Sequence, residues 1–157
     1  MEGQLDAAAP RGTPEALNVY VDSSVLLRVV LGEPRRLRTW GRISQAVSSE
    51  LIRLECLRTL DRARLTLRLE DEVVANRRAA VLDVIEGFTL VPVAGPILER
   101  AADPFPTMLG SLDAIHLASA LLVRKRFEDL SLATHDDELA LAARAVGFRV
   151  QGAREGT

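Results

Sequence analysis

Four carboxylates fall at places where they could act together. Asp22 follows the apolar run Val19-Tyr20-Val21 in "NVYVDSSVLL", where a strand gives way to a helix, and Asp136 follows "LSLAT" in the same way. Glu55 lies within "ELIRLECLRTLDRARL" and Asp113 within "LDAIHLASALL". Carboxylates gathered in one place repel one another unless they are protonated or neutralised. Hard divalent cations such as Mg²⁺ and Mn²⁺ prefer oxygen ligands, and Mg²⁺ keeps several waters. A cation held this way can activate water and stabilise a phosphodiester under in-line attack.

Each acid also has a plainer explanation. Asp is a favoured N-cap, and Asp22 and Asp136 both precede helices, with Ser23, Ser24 and Thr134 as competing caps. Asp113 would cap its own helix unless Ser111 does so. Glu55 lies at the edge of an apolar arc read as Leu51, Leu54, Leu57 and Leu60. A carboxylate there needs a cation or donors, or it costs several kcal/mol (roughly). Glu50 is its rival, but it falls in the first helical turn, where the helix dipole alone accounts for a negative charge. His116 shares a helical face with Asp113 and is read as a helix-packing histidine with a satisfied ring nitrogen. The argument for a site therefore rests on the set and not on any one member.

The elements that must position these acids follow from periodicity and breakers. A first strand is expected over about Asn18–Val21, then a helix over Ser24–Leu31 that ends at Gly32 and Pro34. A second helix is expected after Pro34, then the strand "ISQAVSS" and the helix containing Glu55. Another helix covers roughly Glu70–Glu86, followed by the strand "FTLVPV" and a short helix over Pro96–Ala102. After the loop "DPFPTMLGS" come the buried helix "LDAIHLASALLVRKR", the strand "LSLAT", the helix "DDELALAARAV" and the strand "FRVQ". Such alternation predicts an α/β fold with a mostly parallel sheet covered on both faces. In open sheets of this kind, sites form outside the carboxyl ends of the strands. Asp22 and Asp136 both belong on that edge.

Composition narrows the class. The chain of 157 residues is 48% hydrophobic and 27% charged, suited to one domain with a real core. Residues 1–17 read as a flexible leader, 18–152 as the domain and 153–157 as a tail. Aromatic residues are only 4%, which argues against a platform of rings for stacking bases. The net charge of −2 provides no overall basic field. Lys125 is the only lysine, and every other basic side chain of that class is arginine. One cysteine, Cys56, excludes a disulfide framework and a cysteine metal site, and points to a reducing, cytoplasmic setting. The N-terminus lacks a secretory signal pattern, and no stretch reaches the roughly 18 apolar residues of a membrane span.

The stretches "VYVDSSVLL", "SSELIRLECLRTL", "LGSLDAIHLASAL" and "LATHDDELALAARAVGFRV" occur in the order and at the spacings of a PIN domain. In detail the chain resembles the VapC-type toxins of bacterial toxin–antitoxin pairs, from about Asn18 to Val150. The resemblance implies a PIN-like three-layer α/β/α sandwich and a Mg²⁺- or Mn²⁺-dependent endoribonuclease. It implies that Asp22, Glu55, Asp113 and Asp136 are the catalytic, metal-holding quartet. It gives Asp137 a place as a second donor at the last corner, and Ser24 and Thr134 places as small polar residues beside the metal. It also implies an RNA substrate, a homodimer and a cognate VapB-like antitoxin lying over the acidic cleft. One departure is the leader of seventeen residues, since family members commonly start just before the first strand.

Other classes fit less well. A phosphoacceptor domain would need an adjacent acidic pair at the first strand and a lysine after a late strand, whereas Lys125 falls in a helix. A phosphatase with an aspartate nucleophile would want an acid at position 24, which is serine. A DNA-directed nuclease would need clamp insertions that the short chain lacks. The alternative kept is a non-catalytic PIN-like domain that binds RNA or a protein.

Overall fold

The computed structural model describes residues 15–154. Residues 1–14 of the expected leader and 155–157 of the expected tail lie outside the described residues. Five strands form one sheet: β1 (Leu17–Val21), β2 (Ile43–Ser49), β3 (Thr89–Val91), β4 (Ser131–Ala133) and β5 (Val150–Gln151). Their order is β3-β2-β1-β4-β5 and every pair is parallel. The chain winds outward from β1 to β3, then crosses back to place β4 on the other side of β1. The order therefore reverses between β1 and β4, and such a switch point opens a crevice at the carboxyl ends.

Strand alternation explains the three layers. Val19 and Val21 point to one face and Tyr20 to the other, and all three are fully buried. The first face packs against α1 (Ser23–Val30), α2 (Leu51–Leu67) and α3 (Asp71–Glu86), through Val25, Leu26, Ile52, Cys56, Val81 and Ile85. The second packs Tyr20, Val47, Val91 and Leu132 against α4 (Gly95–Ala102), α5 (Ser111–Val123) and α6 (Asp137–Ala145). Helix α5 is buried along most of its length, as its nearly continuous apolar sequence requires.

Two expectations are corrected. No α-helix follows Pro34; a short 3-10 turn, Trp40–Arg42, stands there instead. Arg35 takes a left-handed backbone (φ 65°), which a helix excludes, and the turn it makes lets Leu37 bury its side chain in the core. The apolar arc of α2 is also phased differently. Ile52, Cys56 and Leu60 form the buried stripe, and Leu54 is 56% exposed. Strands β3 and β5 are shorter than expected: Pro92 lacks the N–H needed to continue β3, and Phe148 turns into the core before β5 begins.

Candidate acidic site

Asp22 leaves β1 at the switch point, and its backbone N–H donates to the Ala133 carbonyl at 3.0 Å, extending the β1–β4 pairing by one bond. Its side chain is 4% exposed and makes no capping bond to α1. The Ser24 hydroxyl donates to Asp22 Oδ2 at 2.7 Å and the Thr134 hydroxyl donates to the same oxygen at 2.9 Å. Each hydroxyl is itself oriented by the turn after β4: His135 N–H donates to Ser24 Oγ at 2.9 Å and Asp136 N–H to Thr134 Oγ1 at 3.0 Å. Two relays thus converge on one carboxylate oxygen. Oδ1 lies 3.8 Å from His116 Nε2.

Asp136 does cap α6, accepting from Leu139 N–H at 2.8 Å through Oδ1. The cap uses one oxygen and leaves the other. Asp113 sits in the first turn of α5 and caps nothing, since Gly110 is the N-cap residue and no side chain bonds there. Its carboxyl is raised from 3.8 to about 6, first by loss of water around it and then by the charges of Asp136, Asp22 and Glu55.

Glu55 finds its donor in His116, whose Nε2–H bonds to Glu55 Oε1. The opposite ring nitrogen, Nδ1, lies 2.8 Å from the Tyr20 hydroxyl. Burial raises the Tyr20 pKa well above its ordinary value, so the group stays a hydroxyl, which donates to Nδ1 of a neutral ring and accepts from Nδ1–H of a charged one. Burial alone would lower the His116 pKa, but the Glu55 hydrogen bond and the charges of Asp22, Glu55 and Asp113 outweigh it, and the net direction is upward. His116 is a buried packing residue with both ring nitrogens engaged, one of them by Glu55. Nothing local in the sequence signals this, because Glu55 and His116 are 61 positions apart.

The rival Glu50 is exposed at the start of α2, where it accepts a long 3.4 Å bond from Val93 N–H. Asp137, in the first turn of α6, lines a cleft with Arg28, Arg35 and Arg154. Cys56 lies beneath the site, with its thiol pushed up to about 12 by burial and by the Glu55 and Asp22 charges, so it remains a thiol. The donor set is all carboxylate oxygen, which suits a hard divalent cation. Among the described residues, no three His, Cys, Asp or Glu side chains close on one point tightly enough to hold an ion unaided. Waters would complete the coordination, as Mg²⁺ commonly requires.

A parallel α/β sandwich with acids at its switch point defines a class, and comparison with known proteins identifies it. The PIN domain family model matches residues 19–145, and the chain belongs to that family. It is 33% identical to Ribonuclease VapC47 of Mycobacterium tuberculosis over 137 residues, covering 83% of this chain and 93% of that protein. It is 36% identical to Ribonuclease VapC46 of the same species over 138 residues, covering 84% and 95%. The crystal structure of PAE2754 from Pyrobaculum aerophilum shares the fold, with a TM-score of 0.52 at 19% identity over 86% of this chain and 91% of that one. Among the described residues, no helix is long and apolar enough to cross a membrane.

Proposed function

We propose that this chain is a divalent-metal-dependent endoribonuclease of the toxin kind, restrained by a cognate antitoxin. The observation that supports it best is geometric: at the sheet's switch point the Ser24 and Thr134 hydroxyls converge on Asp22, His116 lies between Asp22 and Glu55, and Asp136 follows β4 beside them. Similarity to two ribonucleases over most of their length supports RNA as the substrate. The toxin–antitoxin resemblance supports a homodimer, an antitoxin covering the acidic cleft and a cytoplasmic setting.

Asp22, Glu55, Asp113 and Asp136 would hold Mg²⁺ or Mn²⁺, which when bound supplies positive charge to the scissile phosphate and acidifies water. The protein's own share is preorganisation. Ser24 and Thr134 engage one Asp22 oxygen at 2.7 and 2.9 Å, while the other accepts only a long 3.5 Å bond from the Ser23 hydroxyl and faces His116. Tyr20 and His116 orient Glu55 from below. Asp136 uses one oxygen to cap α6 and would offer the other to the site, so the cap fixes where its carboxylate sits. In-line hydrolysis would break the bond from phosphorus to the 3′ oxygen, leaving a 5′-phosphate and a 3′-hydroxyl.

The test is cleavage of end-labelled RNA by protein purified free of antitoxin. Cutting is expected with Mg²⁺ or Mn²⁺ and not with EDTA, with 5′-phosphate products. A 2′,3′-cyclic phosphate would show attack by the 2′-hydroxyl and would sink the scheme.

A second expectation concerns protons. With the Asp113 carboxyl at about 6 in the metal-free protein, a cation must displace a proton below that pH. Metal affinity should be flat above pH 6 and fall by about tenfold per pH unit beneath it. Calorimetry in two buffers of different ionisation enthalpy would count the released proton; a titration independent of buffer at pH 5 would contradict the assignment of Asp113.

A further inference from the structure

The acidic site does not account for an arginine-lined surface among the described residues. A cleft of about 500 Å³ is lined by Arg35, Arg36, Arg38 and Arg42, with His135 and Gly152 at one end. It adjoins a second cleft of about 300 Å³ that shares Arg35, His135 and Gly152 and adds Arg28, Arg154 and Asp137. Six arginines thus face one trough and Asp137 is the acid among the lining residues, in a chain whose net charge is −2. Arg35, Arg36, Arg38 and Arg42 are exposed and form no ion pair among the described residues.

The fold holds these side chains in place. Leu37 is buried between Arg36 and Arg38 and pins the segment to the core, so its neighbours must point outward. The Thr39 hydroxyl donates to Gln151 Oε1 of β5, and Gln151 Nε2 donates to Ser131 Oγ at 2.8 Å. Gly152 forms the junction with the site. Its φ is +90° and a Cβ there would meet the Thr134 carbonyl at 2.9 Å, so only glycine lets the terminal segment lie this close. The His135 ring bonds through Nδ1–H to the Gly152 carbonyl at 2.8 Å, and this residue lines both clefts while adjoining Thr134 and Asp136 in the chain.

The geometry points to a binding track for the phosphate backbone of single-stranded RNA, running from the acidic site past His135 and along Arg35, Arg36, Arg38 and Arg42. This rests on the ribonuclease assignment and extends it to the substrate on one side of the scissile bond. Planar guanidinium groups match phosphate oxygens two at a time. No aromatic ring other than His135 lines the two clefts among the described residues. The track should therefore grip the backbone and discriminate little between bases.

The test is fluorescence anisotropy in EDTA with a short, labelled, single-stranded RNA of mixed sequence, titrated across a range of salt. Each phosphate contact on a single strand contributes about 0.7 to the slope of log K against log salt. The triple variant Arg36→Ala/Arg38→Ala/Arg42→Ala should flatten that slope by about 2. The variant Arg62→Ala/Arg78→Ala/Arg126→Ala loses the same charge from exposed positions elsewhere and should leave the slope unchanged; melting curves would verify that both fold. Equal flattening in both variants, no flattening in the first, or no RNA binding by the parent protein would overturn the track. So would loss of antitoxin binding by the first variant with its RNA slope intact. Cleavage with Mg²⁺ is measured in parallel on the parent protein, so a failed track with cutting intact leaves the ribonuclease assignment standing, and absent cutting counts against that assignment alone.

Discussion

Asp113→Asn is expected to abolish metal-dependent cleavage and, in the same protein, to raise the melting temperature measured in EDTA. The two effects have one cause. Asp113 is held among the charges of Asp136, Asp22 and Glu55 with part of its hydration removed, which lifts its carboxyl from 3.8 to about 6. A carboxyl whose folded pKa lies above its unfolded value costs stability when ionised. That cost is complete above pH 6, shrinks as pH falls from 6, and is gone below 3.8. Asparagine keeps the shape and removes the charge. After allowance for solvent screening of a partly exposed group, the gain should be roughly 1 kcal/mol, or about 2–4 °C for a chain of this size. Melting curves of the two proteins should separate at neutral pH and converge near pH 4. A parent protein that melts no lower than the variant at pH 7.5, or a variant that still cuts, would remove Asp113 from the cluster. With Mg²⁺ added, the order should reverse, because only the parent gains from binding the ion.

The opposite pattern is expected for His116→Ala, which should lose stability together with activity. The side chain is fully buried, and its removal leaves a cavity, an unpartnered Tyr20 hydroxyl and an unheld Glu55. Core truncations with broken buried hydrogen bonds cost about 2–4 kcal/mol. Groups that orient metal-binding side chains are typically worth about 10–100-fold in metal affinity or activity. A merely structural role would lower stability and leave the intrinsic metal affinity of the folded fraction alone. His116→Gln discriminates between the two, because its amide nitrogen reaches roughly where Nε2 stands. It should recover much of the metal affinity while remaining less stable than the parent. Calorimetric Mn²⁺ titration of all three proteins, well below their melting temperatures, reads this directly; equal affinities throughout would leave His116 as packing and nothing more.

The two variants separate the kinds of information the chain carries. Asp22 and Asp136 were recognisable from local pattern, because a buried strand giving way to a helix is written in adjacent residues and parallel strands present those ends on one edge. The alternation of Val19, Tyr20 and Val21 likewise sends side chains to both faces of the sheet whatever lies across from them. The choice of Glu55 over Glu50 rests on the helix dipole, which alone accounts for an acid in the first turn of α2, while the apolar arc that sets Glu55 at its edge is phased differently in the structure. Helix α2 carries more leucines than its core face can take, so Leu54 reaches solvent and Ile52, Cys56 and Leu60 make the contact.

What the sequence determined by itself was the order of elements, the parallel sheet they imply and the edge on which the acids emerge, since each follows from a short-range preference of backbone and side chain. What only the tertiary structure decided was who meets whom. His116 reaches Glu55 across 61 positions, and Thr134 reaches Asp22 across 112. The arginines after Pro34 became a trough because Arg35 turned left-handed and Leu37 found a place in the core, where a helix had been expected. Such outcomes depend on burial and hydrogen bonding between segments distant in the chain, and no window of neighbouring residues contains them.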